Sequence, residues 1–383
     1  MLEQARQRTA VFQEKLRDAG IRQALLTDES SIAYLAGFWG YLGVEFGRPT
    51  CLIVRPDEEP IVITPLMESE MVSRMTWIED VRTWEDAGNN YWEAVLANSI
   101  GTGATSLWVE LQQIPAIVRN FLDNQYPGIK LENVAPKLSE MRMIKSVQEI
   151  DVMKQAGSIA AVMMGAAEAA LAEGAPEYEI ALAVINAGTR KAAGFLSEKG
   201  WEAFVSPMIH NLQIMQSGKD TSMVHRRASV KALEQGDPVY FCFCNMAQFK
   251  QYKLGFDRMF FVGDASDAAR HVQMTAVAAQ QAALSAIRPG VSAEEVAEAA
   301  DEIYHSHGFA TGYRTGRSIG MAYLESPELK KGDKTRLKPG MTFAVDGGIS
   351  VDGKLGGRIG DSIVVTETGF EYLTDYSREL LVV

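Results

Sequence analysis

The feature that most constrains the fold of this chain is a pair of long helices followed by strands, a pattern that occurs twice after about residue 140. Four alanine-rich segments carry Met and Ile at helical spacing, namely 146–172, 177–193, 266–287 and 293–306. Apolar, strand-like runs follow each pair, namely PVYFCF (238–243), then MTFAV (341–345) and DSIVVTE (361–367). The pattern is typical of a duplicated α+β domain with a pseudo-twofold axis, although an unduplicated α+β domain can also produce it.

The first 140 residues show a different pattern, in which short apolar strands alternate with helices. The strand-like runs are QALLT (23–27), CLIVR (51–55), PIVIT (60–64) and SLWVEL (106–111), with helical stretches such as 65–74 and 92–100 between them. This alternation indicates an α/β lobe. We therefore predict two domains, 1–140 and 141–383.

Charge and composition exclude several classes of partner. The chain has 37 basic and 49 acidic residues, a net charge of −12, which argues against nucleic acid or an anionic membrane surface as a partner. No apolar run approaches the roughly 20 residues of a membrane-spanning helix, and the N-terminus predicts an amphipathic helix and not a signal peptide. Three cysteines cannot form a disulfide framework. We expect a cytoplasmic protein that acts on a small molecule.

Five segments of the second domain resemble a known family. They are MRMIKSVQEIDVMKQAG (141–157), QGDPVYFCF (235–243), TGRSIG (315–320), LKPGMTFAVDGGIS (337–350) and GGRIGDSIVVTETG (356–369). Together they resemble the pita-bread superfamily of methionine aminopeptidase, Xaa-Pro peptidase (prolidase) and creatinase. The resemblance implies a creatinase-like N-terminal α/β domain over 1–140. It also implies an α+β pita-bread catalytic domain over 141–383 with an internal pseudo-twofold repeat.

The same resemblance allows the metal ligands of the peptidases to be checked. Those enzymes hold two metal ions with two Asp, one His and two Glu, and the matching positions here are Cys242 (or Cys244, if the hairpin shifts), Asp257, Arg317, Asp346 and Gly360. Only Asp257 and Asp346 could still bind a hard cation, and an arginine cannot lose its charge to make room for one. We therefore predict no dimetal centre and no cofactor. The two cysteines are interpreted as core packing, with a single metal held by Cys242, Cys244 and Asp257 left open.

Two further motifs place the chain closest to the metal-free, creatinase-like members. The run Phe46-Gly47-Arg48-Pro49 resembles one whose arginine binds the substrate carboxylate across the creatinase dimer interface. A guanidinium suits that role because it offers a carboxylate a bidentate fork. The motif Gln216-Ser217-Gly218 precedes His225 by the spacing that leads to the catalytic histidine of creatinase. The resemblance thus implies a homodimer in which Arg48 reaches the neighbouring active site.

These residues predict a metal-independent hydrolase of a C–N bond in a small carboxylate-bearing substrate, such as a guanidino, ureido, amide or lactam compound. His225 would move the proton, since imidazole titrates near neutral pH, while Asp257 and Asp346 orient the reacting group. The substrate-binding residues would be Phe46, Arg48, Arg317 and Cys242. Two alternatives stay open: a metal-dependent Xaa-Pro peptidase with atypical ligands, and a non-catalytic binding protein on the same fold.

Overall fold

The structure is a computed structural model that describes residues 2–39, 49–85, 90–198, 200, 202–209, 214–244, 246–310, 312 and 314–383. It divides the chain into two units, Met1–Met141 and Arg142–Val383. Among the residues so described, no helix combines the length and the apolar character needed to cross a membrane.

The first unit alternates helices and strands, as its sequence predicts. Its elements are α1 (Leu2–Asp18), β1 (Ala24–Leu26), α2 (Glu29–Ala36), β2 (Cys51–Val54), β3 (Ile61–Pro65), α3 (Ser69–Met75), β4 (Asp80–Trp84), α4 (Trp92–Ile100), β5 (Ser106–Val109), α5 (Ala116–Gln125) and β6 (Lys130–Asn133), with α6 (Ala135–Met143) at the boundary. The strands form a mixed sheet in the order β4-β3-β2-β1-β5-β6. The four predicted apolar runs supply strands that are wholly or alternately buried. The more polar β4 and β6, at the edges of this sheet, were not predicted.

The second unit contains the two helix pairs and a larger sheet. Its elements are α7 (Val147–Ala170), α8 (Glu177–Glu198), β7 (Ile214–Ser217), β8 (Pro238–Cys242), β9 (Gln248–Phe249), β10 (Tyr252–Lys253), β11 (Asp257–Phe261), α9 (Asp267–Ala286), α10 (Ala293–Ser306), β12 (Gly316–Ser318), β13 (Glu325–Leu329), β14 (Thr342–Val351), β15 (Leu355–Val365), β16 (Phe370–Tyr372) and β17 (Leu381–Val382). Capping boxes start α7 at Ser146 and α10 at Ser292, each with a glutamate three residues on. These caps fix where both helices begin.

Apart from β13, the sheet order of the second unit is symmetric about the pair β15 and β11. The path runs β13-β12-β14-β15-β11-β8-β7, with β16 added to β15 and β17 to β11. Each helix pair is therefore followed by one outer strand, β7 or β12, and then by two antiparallel neighbours, β8 with β11 or β14 with β15. The predicted fold class, α/β followed by α+β, is confirmed.

Helix α9 covers one face of this sheet at close range. Ala276 and Ala279 of α9 belong to the same buried cluster as Phe343 and Val345 of β14. Close approach requires glycine at 347, where a Cβ would lie 2.1 Å from the carbonyl oxygen of Ala276. Because side chains alternate along a strand, residues 344, 346 and 348 point to the opposite face.

Candidate active site

Five neighbouring strands bring the positions of the predicted metal-ligand set into one row on the face opposite α9. Asp257 on β11 is paired with Cys242 on β8 and with Gly360 on β15. Gly360 is paired in turn with Asp346 on β14. Arg317 on β12 pairs with residue 344, two before Asp346, so its side chain shares that face. The structure thus brings together the five positions that correspond to the metal ligands of the peptidases.

Gly360 leaves a space that the two carboxylates fill. A Cβ at Gly360 would lie 2.8 Å from Oδ1 of Asp346 and 3.0 Å from Oδ2 of Asp257. Both carboxylates therefore turn toward the position where the peptidases have a glutamate side chain. The two carboxylates therefore lie side by side, with no side chain at residue 360 between them.

Asp257 is buried, with 6% of its surface exposed. The hydroxyl of Tyr240 donates a hydrogen bond of 3.1 Å to its Oδ2. Burial, followed by the negative charge of Asp346, raises the pKa of Asp257 to about 7, although Arg317 and the Tyr240 bond oppose the shift. Asp257 can therefore exchange a proton near neutral pH, as a general acid or base must.

Arg317 is buried beside Asp346 and neutralises its charge. Its Nη1 donates a hydrogen bond of 2.6 Å to Oδ2 of Asp346, and its guanidinium lies 4.1 Å from the centre of the Tyr323 ring and bonds to the Tyr323 hydroxyl. Nε of Arg317 and Oδ1 of Asp346 have no hydrogen-bond partner among the described residues. Arg317 is thus paired with a carboxylate of the protein itself, Asp346. Its role in binding a substrate anion stays a prediction.

These contacts do not fit a pair of hard metal ions. Arg317 puts a permanent cation at the position of the family histidine, and Gly360 offers no donor atom. One oxygen of Asp346 is already bonded to Arg317, and one oxygen of Asp257 to Tyr240. Two carboxylates remain where several oxygen ligands and an open position would be needed.

The structure corrects the interpretation of Cys242 and Cys244 as simple core packing. Cys242 and Cys244 form a disulfide, with their Cα atoms 5.4 Å apart, a separation that a disulfide spans without backbone movement. Two residues apart at the end of β8, both side chains reach the same side, so their sulfur atoms can meet. The third cysteine, Cys51, is buried in the first unit, and burial raises the pKa of its thiol to about 12. The predicted contact of Cys242 with a substrate stays a prediction.

His225 lies apart from the carboxylates in the contacts that the structure gives. Its side chain is exposed, and no hydrogen bond or ion pair connects it to another described residue. The segment before it is fixed, since the backbone N–H of Gly356 on β15 donates to Oγ1 of Thr221 at 3.0 Å. Buried Glu177 accepts hydrogen bonds from residues on both sides of His225, namely Ser217, Arg226 and Ser229. The catalytic role of His225 stays a prediction.

Phe46 and Arg48, predicted to bind substrate, lie outside the described residues. The dimer in which Arg48 would reach a neighbouring site is likewise still a prediction.

Three residues of the site were not predicted from sequence. Tyr240 lies two residues before Cys242, and Arg358 two before Gly360, so alternation along β8 and β15 could have identified both. Arg358 lies 5.7 Å from the centre of the Tyr240 ring and donates to Oγ of Ser350 at 2.6 Å. Tyr323 comes from an irregular connection, where no periodic signal exists.

Comparisons with known proteins identify the family to which this chain belongs. The model of the creatinase/prolidase N-terminal domain matches residues 8–144, and that of metallopeptidase family M24 matches residues 151–367. The chain therefore belongs to family M24, in its creatinase/prolidase branch, and the predicted pita-bread superfamily is confirmed.

Particular relatives cover nearly the whole chain. It is 28% identical to the agropine synthesis cyclase of Rhizobium rhizogenes, over 95% of this chain and 94% of the relative. It is 26% identical to the creatinase of Bacillus sp. strain B-0618, over 98% and 91%. The crystal structure of a prolidase from Thermococcus sibiricus matches with a TM-score of 0.84 and 26% identity, over 98% of each chain.

Proposed function

We propose that the protein is a metal-independent hydrolase of a C–N bond in a small carboxylate-bearing molecule, of the guanidino, ureido, amide or lactam class. The observation that carries the proposal is that buried Asp257 lies beside partly exposed Asp346 at Gly360, with Arg317 bonded to Asp346. Two full-length relatives, creatinase and agropine synthesis cyclase, are named for small molecules and not for peptides. The first observation favours chemistry without a dimetal centre, and the second favours a small substrate.

In the proposed reaction the acidic pair and His225 divide the work. His225 takes a proton from the attacking water and delivers it to the leaving nitrogen. Asp257 and Asp346 hold the reacting group and stabilise the charge that develops on it. Burial and the neighbouring charge of Asp346 raise the pKa of Asp257 to about 7, so Asp257 can exchange a proton near neutral pH.

Ring closure within one molecule is a second candidate. The match to agropine synthesis cyclase extends over 95% of the chain, and that relative is named for a cyclisation. The same acid and base would serve, with a nucleophile of the substrate itself in place of water. Products that retain all atoms of the substrate except a leaving group would favour this reaction over hydrolysis.

The decisive measurement is activity against metal content. Small guanidino, ureido, lactam and N-acyl acids are screened for release of ammonia, urea or amine, before and after the protein is dialysed against a chelator. We expect full turnover in protein that elemental analysis finds free of manganese, zinc, iron and cobalt. Turnover that is lost on chelation and restored by manganese or cobalt would instead support the metal-dependent Xaa-Pro peptidase.

Replacing His225 tests the proton transfer. We expect His225→Ala to lower kcat by at least about 100-fold, the lower range for loss of a general acid or base, with an unchanged circular dichroism spectrum. His305→Ala is the matched control, since His305 is also exposed in the same unit and outside the site. Full activity of the His225 variant would remove this residue from the mechanism.

A further inference from the structure

We propose that Cys242, Cys244 and Asp257, once their disulfide is reduced, bind one soft divalent cation of the zinc class. On the function proposed above, a cation bound there would also take Asp257 out of the catalytic pair. The site differs from that of the metallopeptidases, because it uses two sulfur atoms and needs neither residue 317 nor residue 360. The proposal concerns binding and does not depend on the reaction proposed above.

The ligand atoms already lie close together. The two sulfur atoms and a carboxylate oxygen of Asp257 are all within 4.8 Å of one another. Sγ of Cys244 lies 3.8 Å from Oδ1 of Asp257. Tetrahedral zinc with Zn–S near 2.3 Å and Zn–O near 2.1 Å places two such ligands about 3.6 Å apart. Small side-chain rotations after reduction therefore suffice to complete a three-ligand site with a fourth position open.

Asp257 presents the correct oxygen. Its Oδ2 accepts the hydrogen bond from Tyr240 and faces Gly360, whereas its Oδ1 faces Cys244. The Tyr240 bond holds the carboxylate in this orientation from outside the ligand group, as outer partners of metal ligands do. Two thiolates and one carboxylate favour zinc over magnesium or calcium, which prefer sites made only of oxygen ligands.

The charge of the site also suits a single divalent cation. Two thiolates and one carboxylate carry −3, so a cation of +2 leaves −1 on the group. Nη2 of Arg317 lies 3.6 Å from Sγ of Cys244, where it offsets this remaining charge. The guanidinium of Arg317, which does not fit a pair of hard cations, therefore suits the negatively charged group that one soft cation would form with its three ligands.

Reduction and binding are separate steps. A dithiol such as dithiothreitol gives two electrons and two protons to the Cys242–Cys244 disulfide and becomes a cyclic disulfide itself. The cation then replaces the two thiol protons, which pass to solvent. In the oxidised protein the sulfur atoms are bonded to each other, so we expect no comparable binding.

The experiment titrates reduced protein with cobalt and then with zinc, after the reductant has been removed under anaerobic conditions. We expect one equivalent of cobalt to give a thiolate-to-cobalt charge-transfer band in the near ultraviolet, and zinc to abolish the band. Cys242→Ser and Cys244→Ser should each lose the band and bind zinc at least about 100-fold more weakly. Replacing a residue that only hydrogen-bonds to a metal ligand already weakens binding by up to about 100-fold, and loss of a ligand itself should cost at least as much. Cys51→Ala is the matched control and should keep both.

Two results would overturn the proposal: reduced parent protein without the band, or a Cys244→Ser variant that keeps it. Asp257→Asn adds a further arm, since it retains both sulfur atoms and should weaken zinc binding while leaving a thiolate band. Circular dichroism of each variant separates loss of the site from loss of fold. Because the readout needs no substrate, its failure leaves the proposed hydrolase untouched, and failure of the hydrolase assay leaves the cation site untouched.

Discussion

Strands β11 and β15 contribute to two charged clusters on opposite faces of the sheet, through neighbouring residues of each strand. On the face of α9, Asp361 is fully buried and accepts hydrogen bonds on both oxygens from four donors, namely Arg258, Arg378, Gln280 and Thr374. On the other face, Asp257 has its pKa raised to about 7, and Oδ1 of Asp346 has no partner in the described part of the chain.

The contrast shows how one pair of strands can supply both stability and chemistry. A buried carboxylate whose oxygens all have donors fixes the backbone around it. A buried carboxylate beside a second one, with fewer donors, can change its protonation near neutral pH. The face with satisfied hydrogen bonds therefore holds the strands in register, and the face without them can react.

Breaking the satisfied cluster should have the largest effect on stability. Arg258 and Asp361 are 2% and 0% exposed, so Asp361→Ala leaves Arg258 as a buried charge without its partner. We expect the free energy of unfolding in urea to fall by about 3–5 kcal/mol. Asp257→Asn, on the opposite face, is the control and should not destabilise the protein. Equal losses in the two variants would contradict the distinction between the faces.

The pH dependence of stability sharpens the same comparison. The unfolded chain releases the Asp257 proton near pH 3.8, whereas the native state holds it to about pH 7. Between these values the native state binds more protons, so this residue makes stability fall as the pH rises. In Asp257→Asn that fall should disappear. Urea unfolding of parent and variant across this range checks it, and parallel curves would show that the pKa of Asp257 is not raised.

A smaller effect is expected from adding one methyl group at Gly360. Its Cβ would lie 2.8 Å from Oδ1 of Asp346 and 3.0 Å from Oδ2 of Asp257, so Gly360→Ala pushes the carboxylates apart. We expect a clear loss of kcat with a stability cost of about 1–3 kcal/mol. Gly165→Ala, in α7 with open space around it, should instead stabilise by up to about 1 kcal/mol. Unchanged kcat in Gly360→Ala would show that the contact does not matter.

The row of site positions could be predicted because the motifs that carry it resemble those of a known family. The motifs that carry Asp257, Arg317 and Asp346 lie on strands, where alternation fixes the face on which each side chain points. The helix at 293–306 has a capping signal, and the structure places it at those residues. The same logic failed for the polar strands β4 and β6.

What could not be predicted depends on distances between strands. The raised pKa of Asp257 comes from burial and from Asp346 two strands away, and neither is visible in the segment around residue 257. The bond between Cys242 and Cys244 depends on how the end of β8 turns its side chains. His225 follows a motif, but no motif states how exposed the residue is in the folded chain.

The ion pair between Arg317 and Asp346 also has a consequence for how this site could change over time. A histidine at 317 alone would remove the partner of Asp346 while 360 still lacked a ligand. A glutamate at 360 alone would meet the two carboxylates that lie 2.8 and 3.0 Å from its Cβ. Neither single step yields a dimetal centre, and each disturbs the present arrangement. A dimetal centre of the peptidase kind would therefore require several simultaneous substitutions in this chain.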